Sequence, residues 1–334
     1  MKYYTNNSYN QMQAYSGGQV SLECPEKLYL DITQDCNIYC RMCRDVFSMN
    51  GKTMPYDLFS RLIEETSPFV KNYSLFNSGE PLIVKDFRER VDYVNTVKRN
   101  DCTVEISTNG LLLTDDMINF LCSREVKVCV SFDGADKETF EKIRCGANFE
   151  KVCDNLHKLS SAYANVSIEK APSIYVTIQK DNQNQLLKIA ELINSLGVRQ
   201  MGYGFVNIPS EYAPDMNDNL RMEIEKTALY IDDNKMLNYL YPTRIGDYLW
   251  WGNKYIHKSN FLLDNHCTAP LASASIRYDG DVFLCCNGGE YVDNISDKSF
   301  LEVWQSKRFN ELRAEVNSQD SIPHKCKQCW WVNR

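Results

Sequence analysis

Histidine and net positive charge are both scarce in this chain, and each shortage removes a class of function. The 334 residues include 4 histidines, His157, His257, His266 and His324, and their spacing matches no metal-ligand pattern. Lys and Arg total 37 against 44 Asp and Glu, a net charge of -7. Bulk electrostatics therefore give no attraction for nucleic acid, and none is expected as a partner. No apolar run is long enough to cross a bilayer. Residues 1–18 lack the basic, apolar, small-residue order of a secretory signal. A cytoplasmic location with no membrane partner is the expectation. No internal repeat or low-complexity tract is evident.

Cysteine is the opposite case, with 14 residues. In a chain of this kind they point to a reducing compartment and serve as metal ligands or buried small hydrophobes. The most informative three lie in Asp35-Cys36-Asn37-Ile38-Tyr39-Cys40-Arg41-Met42-Cys43, a C-x3-C-x2-C spacing. Three thiolates this close can hold three irons of a cubane cluster and leave the fourth iron open to another ligand. Structural zinc instead takes paired C-x2-C units that close a tetrahedron. The nearest other thiol, Cys24, precedes Pro25 and lies outside the loop.

This triad, just after the apolar run Leu28–Ile32, resembles the signature of the radical S-adenosylmethionine (SAM) superfamily. The resemblance implies that Cys36, Cys40 and Cys43 hold a [4Fe-4S] cluster whose fourth iron is chelated by the SAM amine and carboxylate. One electron then splits SAM into methionine and a 5′-deoxyadenosyl radical, which takes a hydrogen atom from an unreactive C–H bond. The residue before the third cysteine is often aromatic in the family and packs near the adenine. Here it is Met42, whose flexible thioether can cover a ring.

Short apolar runs alternate with amphipathic stretches from about Tyr29 to Phe205. Strands are predicted at Leu28–Ile32, Tyr73–Phe76, Val104–Ser107, Val126–Phe132, Ile174–Ile178 and Gln200–Phe205. Helices are predicted at Tyr56–Glu65, Lys85–Arg99, Asp115–Ser123, Asp136–Ile143, Phe149–Ser160 and Asn184–Leu196, with Gly197 as a helix-ending cap. The alternation argues for parallel βαβ units in an α/β fold. Six units make an open partial (β/α)6 TIM-like barrel, the fold the resemblance also implies, with chemistry at the strand C-terminal ends. The expected organisation is an N-terminal extension (1–27), a radical SAM core (28–205), a bridging segment (206–265) and a small C-terminal domain (266–334). The bridge carries a helix at Asn219–Asp232 and the aromatic stretch Tyr248-Leu249-Trp250-Trp251.

Several strand ends carry candidate SAM contacts. Ser78-Gly79-Glu80-Pro81 combines a glycine, which lets backbone approach a ligand, with a carboxylate that can accept from an ammonium. It is similar to the family's Gly-Gly-Glu element at the SAM amino group. By the same resemblance Ser131 and Arg144 hold the SAM carboxylate, and Asn109, Asp133 and Gln179 face the ribose or adenine. Each motif alone also reads as an ordinary turn or surface charge.

Cys267, Cys285, Cys326 and Cys329 form a second constellation. Four thiolates fill either a cubane cluster or a zinc tetrahedron, and sequence chemistry does not separate the two. A β-hairpin with an Asp279-Gly280 turn, a helix at Ser299–Val316 and the closing Cys326-x2-Cys329 resemble the SPASM/twitch extension of radical SAM enzymes. Four cysteines match the shorter, one-cluster twitch form, and the spacing from Gly280 favours Cys285 over Cys286 as the ligand. Cys122, Cys129 and Cys153 fall on apolar faces and are expected in the core.

Together these readings describe a radical SAM oxidoreductase with two [4Fe-4S] clusters, SAM, and a one-electron reductant such as flavodoxin or ferredoxin. An auxiliary cluster can accept an electron from a substrate radical. About 27 residues precede the first strand, too few for a leader-binding domain, which favours a small hydroxylated substrate such as a sugar or cyclitol. The alternative is a maturase of a ribosomally made peptide or protein, acting by side-chain oxidation, cross-linking or epimerisation. The non-enzyme alternative is a zinc-stabilised binding protein.

Overall fold

The computed structural model describes residues 23–44, 51–206, 210–239, 267, 269–286, 289–316, 318 and 321–327. Tyr248, Trp250, Trp251, His257, His266 and Cys329 lie outside the described residues, as does most of the expected N-terminal extension.

In chain order the elements begin with β1 (Lys27–Leu30), β2 (Tyr39–Cys40), α1 (Arg41–Arg44), α2 (Tyr56–Thr66), β3 (Asn72–Ser74), α3 (Phe87–Val97) and β4 (Thr103–Thr108). They continue with α4 (Asp115–Ser123), β5 (Lys127–Ser131), α5 (Lys137–Ile143), β6 (Arg144–Cys145), α6 (Phe149–Ala162), β7 (Ser173–Ile178), α7 (Leu186–Ser195) and β8 (Gln200–Phe205). Then come α8 (Asp218–Asp233), β9 (Leu237–Tyr239), α9 (Ala269–Ala272), β10 (Ser273–Ile276), β11 (Asp281–Phe283) and β12 (Tyr291–Asn294). The last helices are α10 (Phe300–Trp304), α11 (Lys307–Val316) and α12 (His324–Lys327). All six expected strands and the six expected core helices are present, displaced by at most a few residues at their ends.

The chain forms two compact units. The first comprises residues up to Gln34, Gly51–Glu105 and residues from Ser259 onward. In it β1 pairs in parallel with β3 on one side and β10 on the other, and β3 pairs in parallel with the start of β4. β10, β11 and β12 run antiparallel. The register sets Ala274, Leu28, Tyr73 and Val104 side by side, all buried. A row of apolar side chains shielded on a strand face is the main source of stabilisation here, about 1.5–3 kcal/mol for each large one. The hairpin turn closes as expected, with Gly280 at φ +86°, a conformation few side chains tolerate. The single helix expected over Ser299–Val316 is instead two helices. The Ser306 hydroxyl accepts from the Phe309 amide at 3.2 Å and caps a new start, so α10 ends before it.

The second unit comprises Asp35–Asn50 and Ile106–Lys258. Here β5, β7, β8 and β9 pair in parallel order. Val130, Ile174 and Met201 lie in one row and are fully buried. Helix α7 ends as the sequence indicates. Gly197 (φ +84°) donates to Asn194 and Val198 donates to Ile193, the paired bonds of a Schellman cap. Strand β9 was not anticipated, because its three residues, Leu237-Asn238-Tyr239, are too few to show a strand period. Cys122, Cys129 and Cys153 are half-buried, so the expectation that they are core residues is corrected. Cys129 shows the reason, since β5 buries Val128 and Val130 and turns the alternate positions toward its less covered face. Among the described residues no helix is long and apolar enough to cross a membrane.

Candidate functional site

In the second unit, the cysteine loop is fixed by a two-stranded antiparallel ribbon that sequence reading did not anticipate. β2 pairs with β6 so that Tyr39 faces Cys145 and Cys40 faces Arg144. Strand β2 runs directly into α1, which carries Met42 and Cys43. The Arg144 Nη1 donates to Cys40 Sγ at 3.8 Å, and Asn109 Nδ2 donates to Cys36 Sγ at 3.7 Å. Asn109 also donates to Asn37 Oδ1 at 2.7 Å and accepts from the Leu111 amide at 3.0 Å, which locks its orientation at the end of β4.

The neighbouring Cys43, and then burial, push the Cys40 thiol up, while Cys40 pulls Cys43 down against the effect of burial and Arg144 lowers both. Among the described residues no three Cys, His, Asp or Glu side chains already converge as a single-ion site.

Arg144 is itself anchored. Its Nη2 meets Asp133 Oδ2 at 2.6 Å, and the other Asp133 oxygen accepts from the Thr177 amide at 2.7 Å. Burial drives the Asp133 carboxyl up, while Arg144 and the Thr177 amide oppose it. For Arg144, burial works against the charge, but Asp133 and then the two cysteines outweigh it and raise its pKa, so the guanidinium stays protonated. Asn182, which sequence reading missed, donates to the carbonyls of Asp133 and Thr177 at 3.0 Å each and accepts from the Gln179 amide. Asp181, also missed, pairs with Arg41 of α1 at 3.1 Å and Lys142 of α5 at 2.6 Å. An Asp-Asn pair just past a strand is too common a turn signal to have flagged either residue.

Gln179 lies fully buried with its amide nitrogen 3.9 Å from the Met42 sulfur, and its carbonyl Oε1 has no partner among the described residues. A buried amide with an unspent acceptor beside Met42 fits a polar ligand at that position. Ser131 shares a 3.4 Å contact with Ser107. Gly134 has a steric role, since a Cβ there would lie 2.5 Å from the Phe140 backbone nitrogen.

In the first unit, Ser78-Gly79-Glu80-Pro81 forms a turn with Gly79 at φ +68°. Glu80 is 1% exposed and accepts from the Leu82 amide at 3.1 Å, and Pro81 opens a 3-10 turn. Asp31, at the end of β1, accepts from both the Ser78 amide (2.5 Å) and the Ser78 hydroxyl (2.9 Å). An Asp inside the apolar run Leu28–Ile32 was the available signal for this anchor.

The first unit also carries the second cysteine set. Cys326 is buried on α12, and Cys285 and Cys267 are half-buried. Glu290 ties two of these segments, because its carbonyl accepts from Leu284 and its carboxylate accepts from the Lys325 amide at 2.7 Å. Arg313 of α11 donates to the Pro270 carbonyl at 3.0 Å, just after Cys267. A Cβ on Gly289 would stand 3.0 Å from Cys285 Sγ, so glycine keeps that sulfur accessible. Thiol donors are the chemistry of an iron–sulfur ligand set.

The comparisons agree with this chemistry. A model of the radical SAM superfamily matches residues 30–200, and one of SPASM, an iron-sulfur cluster-binding domain, matches residues 267–330. The tungsten-containing aldehyde ferredoxin oxidoreductase cofactor-modifying protein of Pyrococcus furiosus is 29% identical over 318 residues, covering 86% of this chain and 82% of that protein. Mycofactocin maturase MftC of Mycolicibacterium smegmatis is 28% identical over 309 residues, covering 87% and 73% respectively. Among solved structures, Streptococcus suis SuiB bound to precursor peptide SuiA superposes with a TM-score of 0.71 at 15% identity, covering 98% of this chain and 74% of that one. Native anSMEcpe with bound AdoMet gives 0.67 at 16% identity, covering 91% and 87%. These two likenesses establish a shared fold. The cofactors follow from the matched domains: SAM and a [4Fe-4S] cluster for the first, auxiliary iron–sulfur for the second. The chain belongs to the radical SAM superfamily and is an enzyme of that family with a C-terminal SPASM domain.

Proposed function

We propose that this enzyme is a maturase, acting on a ribosomally made peptide or a comparable precursor. The observation that carries the reading is similarity over 86–87% of the chain to a cofactor-modifying protein and a mycofactocin maturase. That breadth favours the peptide reading over the sugar or cyclitol anticipated from the short stretch before the first strand. A short stretch says nothing about a leader-binding protein encoded separately.

In this reading Cys36, Cys40 and Cys43 hold the SAM-binding cluster, and Cys267, Cys285, Cys326 and Cys329 hold the auxiliary one. The chemistry supplied by the bound cofactors is reductive cleavage of a sulfonium and removal of a hydrogen atom from substrate. The protein's own part is placement. Asn109 orients a donor on the first sulfur and Arg144 on the second. The Glu80 carboxylate, held by the Leu82 amide, would accept from the SAM ammonium. Met42 and Gln179 offer an apolar cover and a polar acceptor to the adenosine.

The test is anaerobic turnover of reconstituted enzyme with SAM, a one-electron reductant and any short peptides encoded beside its gene. Mass spectrometry should find a modified peptide, with SAM cleavage stimulated by that peptide. Stimulation by polyols and by none of the peptides would reverse the assignment.

A further inference from the structure

We propose that Arg144 sets the reduction potential of the cluster at Cys36, Cys40 and Cys43, acting through the Cys40 sulfur with Asp133 as its anchor. This rests on the assignment of those three cysteines as ligands.

The placement is enforced from several directions. Ribbon pairing sets Cys40 directly opposite Arg144. Arg144 Nη1 donates to Cys40 Sγ at 3.8 Å while Nη2 holds Asp133 Oδ2 at 2.6 Å. Asp133 cannot swing away, because its second oxygen is held by the Thr177 amide at 2.7 Å and its carbonyl by Asn182. The side chains are 7% and 0% exposed, so neither solvent nor salt screens the charge.

A cluster that takes up one electron gains one negative charge. A fixed cation with an N–H aimed at a ligand sulfur stabilises the reduced form more than the oxidised form, which raises the potential. Asp133 offsets part of the charge but also orients it, with the positive end toward the sulfur.

The test uses the full-length chain, reconstituted anaerobically. The relevant EPR signal is identified by its change when SAM is added, and is then titrated against potential without SAM. Arg144→Met, which removes charge and donors, and Arg144→Gln, which keeps a donor, should both be reduced at more negative potential than the parent. Should Arg144→Met fail to take up iron, Arg144→Gln alone decides. Potentials equal to the parent's overturn the proposal. Equal potentials with weakened SAM binding would assign Arg144 to the SAM carboxylate instead. A parent protein with no SAM-responsive signal would refute the cysteine assignment itself, and the proposal with it.

Discussion

Replacing Asp133 with Asn should be among the costliest single-atom changes available to this chain. The substitution keeps size and shape and leaves an oxygen for the Thr177 amide. It removes the charge 2.6 Å from the Arg144 guanidinium. At an effective dielectric of about 20, that separation corresponds to about 6 kcal/mol of gross attraction, much of it offset by the cost of burying both ions. The net loss is set by the charge left behind. Arg144 is almost completely buried, and removing the partner of a buried ion costs about 3–5 kcal/mol. The double variant Asp133→Asn with Arg144→Met should lose about half of that or less, because it leaves no orphan charge. Anaerobic urea unfolding of the reconstituted parent, both single variants and the double variant gives the coupling directly. An Asp133→Asn protein within about 1 kcal/mol of the parent, or a double variant whose loss equals the sum of the singles, would refute the reasoning.

Other perturbations test separate parts of the structure. Gly134→Ala places a Cβ 2.5 Å from backbone at Phe140, so the turn after β5 must shift; a loss of about 3 kcal/mol or more is expected by thermal unfolding. Glu105 accepts from Lys27, Ser74 and Asn72, and although burial pushes its carboxyl up, these partners outweigh it and hold it below the usual 4.5. Ionised Glu105 therefore stabilises the fold above that value, and its contribution fades as pH falls through its lower folded pKa. The stability gap between parent and Glu105→Gln, measured from about pH 7 down to pH 3, should close in acid. Arg313 stacks 4.0 Å from the Trp304 ring centre and 4.1 Å from that of Phe309 while donating to the Pro270 carbonyl. Burial lowers its pKa to about 10, so it remains charged at neutral pH. Arg313→Met should cost about 1–3 kcal/mol in the same unfolding assay and lower the auxiliary iron content.

The order of elements was legible in the sequence because parallel βα units write both periodicities plainly. Apolar runs such as Ile174–Ile178 alternate with amphipathic stretches such as Phe149–Ala162, and Gly197 marks its cap without ambiguity. The split near Ser306 was not legible, since a serine inside an amphipathic stretch reads equally as helix or cap. The cysteine triad pointed by its spacing to the family whose model matches, whereas the second set took its reading from resemblance. The supports of these cysteines were not legible. The β2–β6 ribbon joins residues 104 apart in number and has only two residues per strand, too short for any pattern. Asn182 and Asp181 act through contacts with residues distant in sequence, Asp133 for the one and Arg41 and Lys142 for the other, which leave no trace in local composition. Arg144 was found by resemblance, but its contact with Cys40 emerged only from the register of that ribbon.

The most direct measurement is of 5′-deoxyadenosine formed when the oxygen-free, iron-loaded protein meets SAM and a one-electron reductant. The parent should produce it, and the chain carrying Cys36→Ala, Cys40→Ala and Cys43→Ala should produce none. Formation at the parental rate by that triple variant would contradict the account.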